Sequence, residues 1–157
     1  MSSEYAEYFA MLDTLTHQLE ELEQLQHKKI QAVRDHDLEV LNDCMKQEQA
    51  ASLALRGLEQ KRESLSRKLG LEKAPLSKVP DILPPEERAL AQQKVEQLLR
   101  LWERSRSAQH AARTVVEGDL RRVNKQLEQQ GIDPQVEEGY HTAPGVPPKG
   151  LRTDFRA

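Results

Sequence analysis

DLEVLNDCMKQEQAASLALRGLEQKRESLSRKL, residues 37–69, decides the fold. Within it Leu41, Cys44, Glu48, Ala51, Leu55, Leu58, Arg62, Leu65 and Leu69 alternate by four and three residues, the spacing that lines side chains along one stripe of a helix. A helix of about 32 residues is about 48 Å long at about 1.5 Å per residue. No compact core wraps a rod of that length, so its partners are other long helices. Two seam positions, Glu48 and Arg62, are charged, and Cys44 and Ala51 are small. A seam of this kind selects its partner and register at some loss of stability, as a polar residue does in a coiled-coil core.

Upstream, Tyr5, Tyr8, Phe9, Leu12, Leu15, Leu19, Leu22, Leu25, Ile30 and Val33 keep a helical period, which predicts a first helix over residues 3–35. A strict heptad from Tyr5 puts Gln26 and Lys29 in the seam with Leu25 and Ile30 beside it, so the stripe is expected to drift through a stutter there. Tyr5 and Tyr8 read as terminal packing residues, with ligand-binding aromatics as the alternative. The polar run Arg34, Asp35, His36, Asp37 ends this helix, and Asp37 is a good N-cap for a second over 38–69, with Glu39 at its positive end. A short polar turn between two long amphipathic helices implies an antiparallel hairpin. One unbroken helix through His36 is the competing reading. Gly70 fits the left-handed position that closes the second helix.

Downstream, Pro75, Pro80, Pro84 and Pro85 forbid a long regular helix in the connector 70–85. Leu76, Val79, Ile82 and Leu83 are spaced to pack onto the hairpin, so an ordered cap or belt is expected, and the size of the segment leaves the direction of the next helix open. Pro85, Glu86 and Glu87 open a third long helix over 86–130. Its inward residues are expected to be Leu90, Val95, Leu98, Leu101, Trp102, Ala108, Ala112, Val115, Val116, Leu120, Val123 and Leu127. Small residues from Ser105 to Ala112 permit close approach of another helix or leave a shallow groove. Gly118 costs about 1 kcal/mol relative to Ala in a helix interior and is a place for a bend.

The third helix, at about 67 Å, outruns either arm of the hairpin by about 20 Å. Its apolar stripe Val115, Val116, Leu120, Val123 and Leu127 is then left without a partner in the hairpin and is expected to be an interaction surface. Leu98, Leu101 and Trp102 are expected as core or as a second contact region. The other outcomes are a helix that folds back at Gly118, or a dimer that covers the stripe. Beyond Gly131, Pro134, Gly139, Pro144, Gly145, Pro147, Pro148 and Gly150 predict a flexible tail over 131–157, with Leu151 and Phe155 as incidental hydrophobes or a short docking motif. The expected organisation is thus an all-α, elongated antiparallel bundle of three long helices, a single domain over 1–130.

Composition agrees: the 157 residues are 37% hydrophobic, 31% charged and 4% aromatic, and the mean hydropathy of −0.77 suits a surface-rich helical protein. A net charge of −3 gives no reason to expect nucleic acid as a partner. Arg100, Arg104, Arg106, Arg113, Arg121 and Arg122 spread around several sides of a helix, as solvated residues do. The amino terminus has no signal-like pattern and no run approaches about 18 apolar residues, so a cytoplasmic protein without membrane insertion is expected. The single Cys44 fits a reducing compartment. There is no phosphate-binding glycine loop or nucleophile elbow, and His17, His27, His36, His110 and His141 are scattered. Neither an enzyme nor a cofactor or metal is expected.

The run Asp37, Leu41, Glu48, Leu55, Leu58, Glu59, Arg62 and Leu65, after a Leu- and Glu-rich helix and before Gly70 and a proline-broken connector, resembles the FlgN family of flagellar export chaperones. The resemblance extends from Tyr5 to Leu127. It implies a cytoplasmic chaperone that holds hook-filament junction proteins, hook-associated proteins of the flagellum, by their helical carboxy-terminal segments. It further implies delivery to the export gate and ATPase components of the flagellar type III apparatus. The client helix would lie on the spare stripe of the third helix, at Val115, Val116, Leu120, Val123 and Leu127, with Leu98, Leu101 and Trp102 as core or further contacts. A weak homodimer is compatible with that role. The alternative is a structural adaptor that self-associates through the Leu41 to Leu69 seam and has no client.

Overall fold

The computed structural model describes residues 3–131. The expectations for the tail over 131–157, including Leu151 and Phe155, lie outside the described residues apart from Gly131. The elements are α1 (Ser3–Arg34), α2 (Leu38–Lys68), a 3-10 turn (Leu76–Lys78), α3 (Val79–Ile82) and α4 (Pro85–Gln129), with no strand among the described residues. The helix does not run unbroken through His36. Instead the amide of Asp37 donates to the Ala32 carbonyl at 2.9 Å and that of His36 to Val33 at 3.2 Å, a Schellman closure with His36 in the left-handed region at φ 56°. Asp37 then caps α2, its side chain accepting from the Val40 amide at 3.1 Å. Three residues thereby reverse the chain.

α2 lays the expected seam on α1. Cys44, Ser52, Leu55, Leu65 and Ser66 are buried, and Leu41, Glu48, Ala51, Leu58 and Arg62 are half-buried. The charged seam residues are matched within the chain: Lys29 Nζ lies 2.8 Å from Glu48 Oε2, with side chains 14% and 17% exposed. Arg62 bonds Glu59 through Nε at 2.9 and 3.1 Å. Lys29 and Gln26 therefore sit in the α1 seam. The expected stutter is corrected: the heptad from Tyr5 continues, with Gln26 buried and Lys29 half-buried. Leu25 is also buried because α1 has neighbours on two sides. It packs against both α2 and α4, whereas no Cα of α2 comes within 8 Å of one in α4.

Gly70, at φ 73°, closes α2 by the same device. The Leu71 amide reaches the Ser66 carbonyl at 2.8 Å and that of Gly70 reaches Arg67 at 3.2 Å. The connector is the ordered cap rather than a belt. Leu71, Leu76, Val79 and Leu83 are buried in one cluster with Tyr8, Phe9, Leu12, Leu55, Leu65, Val95 and Leu98. Ile82, expected inward, is exposed and Leu71 fills that role, since the turn that closes α2 directs the chain back onto the core. Because the cap stays at the end where α2 stops, α4 starts beside the beginning of α1 and the order is up, down, up. Tyr8 is fully buried in this cap, as packing requires.

The register of α4 on α1 is fixed by two cross-links of identical spacing. Lys94 Nζ meets Asp13 Oδ2 at 2.6 Å and Arg104 Nη2 meets Glu23 Oε1 at 3.0 Å, each pair 81 residues apart. The two helices therefore run parallel. Ala91, Val95, Leu98, Leu101, Ser105, Ala108 and Ala112 are buried along one stripe, so the small residues of the middle serve close approach. Leu90, expected inward, is exposed; the stripe counts back to Ala91, whose small side chain lets the first turns of α4 sit close to α1.

Candidate functional site

α1 ends at Arg34 while α4, in register with it at a spacing of 81, continues to Gln129. Arg34 therefore lies opposite Val115, and the turn from Asp35 to Asp37 lies opposite the residues up to Gly118. Beyond that level α4 projects past the hairpin for roughly three turns, about 17 Å at about 1.5 Å per residue. The expected mismatch of rod lengths is thus present, and it falls at the hairpin-turn end. No residue of α4 from Arg113 onward is buried. α4 remains helical through Gly118, so it does not fold back there.

Beyond that cover α4 still carries apolar side chains, on a face beside the one that packs on α1. Leu120 is 53% exposed and Val123 41%, while Val115, Val116 and Leu127 are half-buried. At the corner where α4 leaves the hairpin, Val33, Arg34, His36, Val115, Gly118, Asp119 and Arg122 line an open cleft. Arg122 pairs with Asp119 on the same helix. The remaining expected contact residues lie elsewhere. Leu98 and Leu101 are buried in the core cluster and Trp102 packs against it half-buried, its ring 5.4 Å from the Arg106 guanidinium carbon. The structure thus places Leu120, Val123 and Leu127 on the length of α4 beyond the hairpin and Val115 and Val116 at the level of its turn, and leaves Leu98 and Leu101 inside the bundle.

What lies beneath this end of the bundle was less apparent in the sequence. Glu23 is buried between His27, at 3.5 Å, and Arg104, and Gln26 is 1% exposed with its amide nitrogen unpartnered. Together with Lys29 and Glu48 they place polar groups in the hairpin-turn half of the interior, among the buried Leu22, Leu25, Val33 and Cys44. At the opposite end burial raises the pKa of the Tyr8 hydroxyl, while Arg62 and Ser66 beside it pull the other way. Burial alone would lower the pKa of Arg62, but the hydrogen bonds and charge of Glu59 raise it, so the guanidinium stays charged. Among the described residues no group of three or more His, Cys, Asp and Glu could hold a metal ion. No described helix is long and apolar enough to cross a membrane.

Compared with known proteins, residues 1–136 match the family described as FlgN protein. No curated protein and no solved structure matches the chain.

Proposed function

This chain belongs to the FlgN family and is a FlgN-type chaperone, not an enzyme; from that premise we propose that the projecting end of α4 is where it holds its client. The client is the helical carboxy-terminal segment of a hook-filament junction protein, kept in the cytoplasm until it is passed to the flagellar type III export apparatus. Val115, Val116, Leu120, Val123 and Leu127 form the contact stripe. One observation carries the reading: past the level where α1 ends, α4 still presents large apolar side chains to solvent. Leu120 and Val123 are exposed and Leu127 half-buried, beside the line on which Asp119 and Arg122 continue the α1-facing stripe. An amphipathic client helix laid along Leu120, Val123 and Leu127 would pack on α4 beyond the end of α1, the helix-in-groove mode of recognition. Affinity is moderate, because few side chains are involved and ordering the client offsets part of the burial.

The adaptor reading requires the Leu41 to Leu69 seam to be free for a second copy. That seam already packs on α1, with Leu55 and Leu65 buried and Glu48 matched by Lys29. The test is titration of a Val116→Asp, Leu120→Asp double variant with the carboxy-terminal segment of a hook-associated protein. Weakened binding by a still-folded variant is expected, and undiminished binding would refute the placement.

A further inference from the structure

Three features of α4 meet at Gly118. It lines the corner cleft with Val33, Arg34 and His36, so it stands at the point where the helix parts from the hairpin. A Cβ added to it would meet nothing within 4 Å, so no close packing demands glycine there. It lies inside a continuous helix and is absent from the positive-φ glycines, so no left-handed conformation demands it either. What a helical glycine does, with packing and conformation set aside, is weaken the helix around it through backbone entropy. The length beyond it is short enough to be marginal as a helix without tertiary support, and none of its residues is buried.

We infer that Gly118 is a hinge that keeps the projecting end of α4 in exchange between helix and frayed chain, and that a bound helical partner completes its ordering. The inference rests on the reading of this end as the client site and adds what sets the site's affinity. In the free protein only the helical fraction is competent to bind, and the apparent affinity falls by that fraction. Gly118 thereby keeps the grip on the client releasable, which suits a chaperone that must hand its cargo on.

Gly118→Ala tests this, with Gly57→Ala as its control. Gly57 also has nothing within 4 Å of an added Cβ but lies in α2, which packs along α1. In the isolated full-length protein, amide hydrogen exchange over residues 119–127 is expected to slow by up to about fivefold in Gly118→Ala, the size of one glycine-to-alanine exchange in a helix. It should be unchanged in Gly57→Ala. Binding of the carboxy-terminal segment of a hook-associated protein should tighten about two- to fivefold in Gly118→Ala and stay the same in Gly57→Ala. Unchanged exchange beyond Gly118 would overturn the hinge without bearing on the client site. Slower exchange with weaker binding would overturn it as well, because the glycine would then be making room for the partner. If exchange slows but neither wild type nor variant binds the segment, the reading of the site fails while the hinge stands.

Discussion

Replacing Leu120 and Val123 together by alanine separates the chain's folding from its proposed work. Leu120 is 53% exposed and Val123 41% in the free protein, so about these fractions of each residue's surface remain for a partner to cover. Leu→Ala removes three carbons and Val→Ala two, each worth about 0.8 kcal/mol when fully transferred from water. Scaled by the exposed fractions, the loss on binding is about 2 kcal/mol, roughly thirtyfold in affinity. The same pair contributes little to the fold, since α1 has ended before their level, and alanine favours helix over both residues. The assay is fluorescence anisotropy of a labelled carboxy-terminal client segment, run beside thermal unfolding of the free protein. A weakening of at least about tenfold with a melting temperature within about 2 °C of wild type is expected. A variant that binds as wild type, or one whose melting temperature falls by many degrees, would show that the residues are not a free docking stripe.

Further expectations concern the bundle itself. His36→Gly relieves a non-glycine residue at φ 56° and should raise stability by about 1 kcal/mol in denaturant titration, whereas Asp37→Ala removes the α2 cap and should cost about 1 kcal/mol. Lys29→Met strands a largely buried Glu48 carboxylate and should cost about 3 kcal/mol, most of which the double variant Lys29→Met, Glu48→Leu recovers. The Tyr8 hydroxyl, with its pKa raised in the folded state above the ordinary 10.0, binds its proton more tightly folded than unfolded. Its contribution to stability is therefore complete below pH 10.0 and is lost as the pH climbs through the folded-state value. Tyr8→Phe should flatten the decline in melting temperature above that pH.

Most of the architecture was legible because it rests on local rules. The four-three alternation from Leu41 to Leu69, the Asp37 cap and the Gly70 closure each follow from neighbours along the chain. What needed three dimensions was the placement of α1 between two partners. A heptad count on one helix assumes one seam, so the burial of both Leu25 and Gln26 read as drift when it reflects two contact faces. Leu90 and Ala91 are adjacent in sequence, and hydrophobicity favours Leu90; only the register set by Lys94 with Asp13 and Arg104 with Glu23 decides for Ala91. The direction of α4 was likewise hidden, because the connector is long enough to go either way and its course is fixed by the burial of Leu71, Leu76, Val79 and Leu83. The projecting stripe was visible as a difference in helix length. The polar groups at Glu23, Gln26, Lys29 and Glu48 were visible only in part, since nothing in the apolar period of the first helix marks Glu23 as inward until Arg104 is placed beside it.

Methyl NMR of the full-length chain, titrated with the carboxy-terminal segment of a hook-associated protein, addresses the central claim most directly. The methyl groups of Val115, Val116, Leu120, Val123 and Leu127 should shift, while those of Leu12, Leu19 and Leu98 in the core and Leu53 on the outer face of α2 stay in place. Shifts centred on Leu38 and Leu53, or spread through the core with Leu120 and Val123 unmoved, would contradict it.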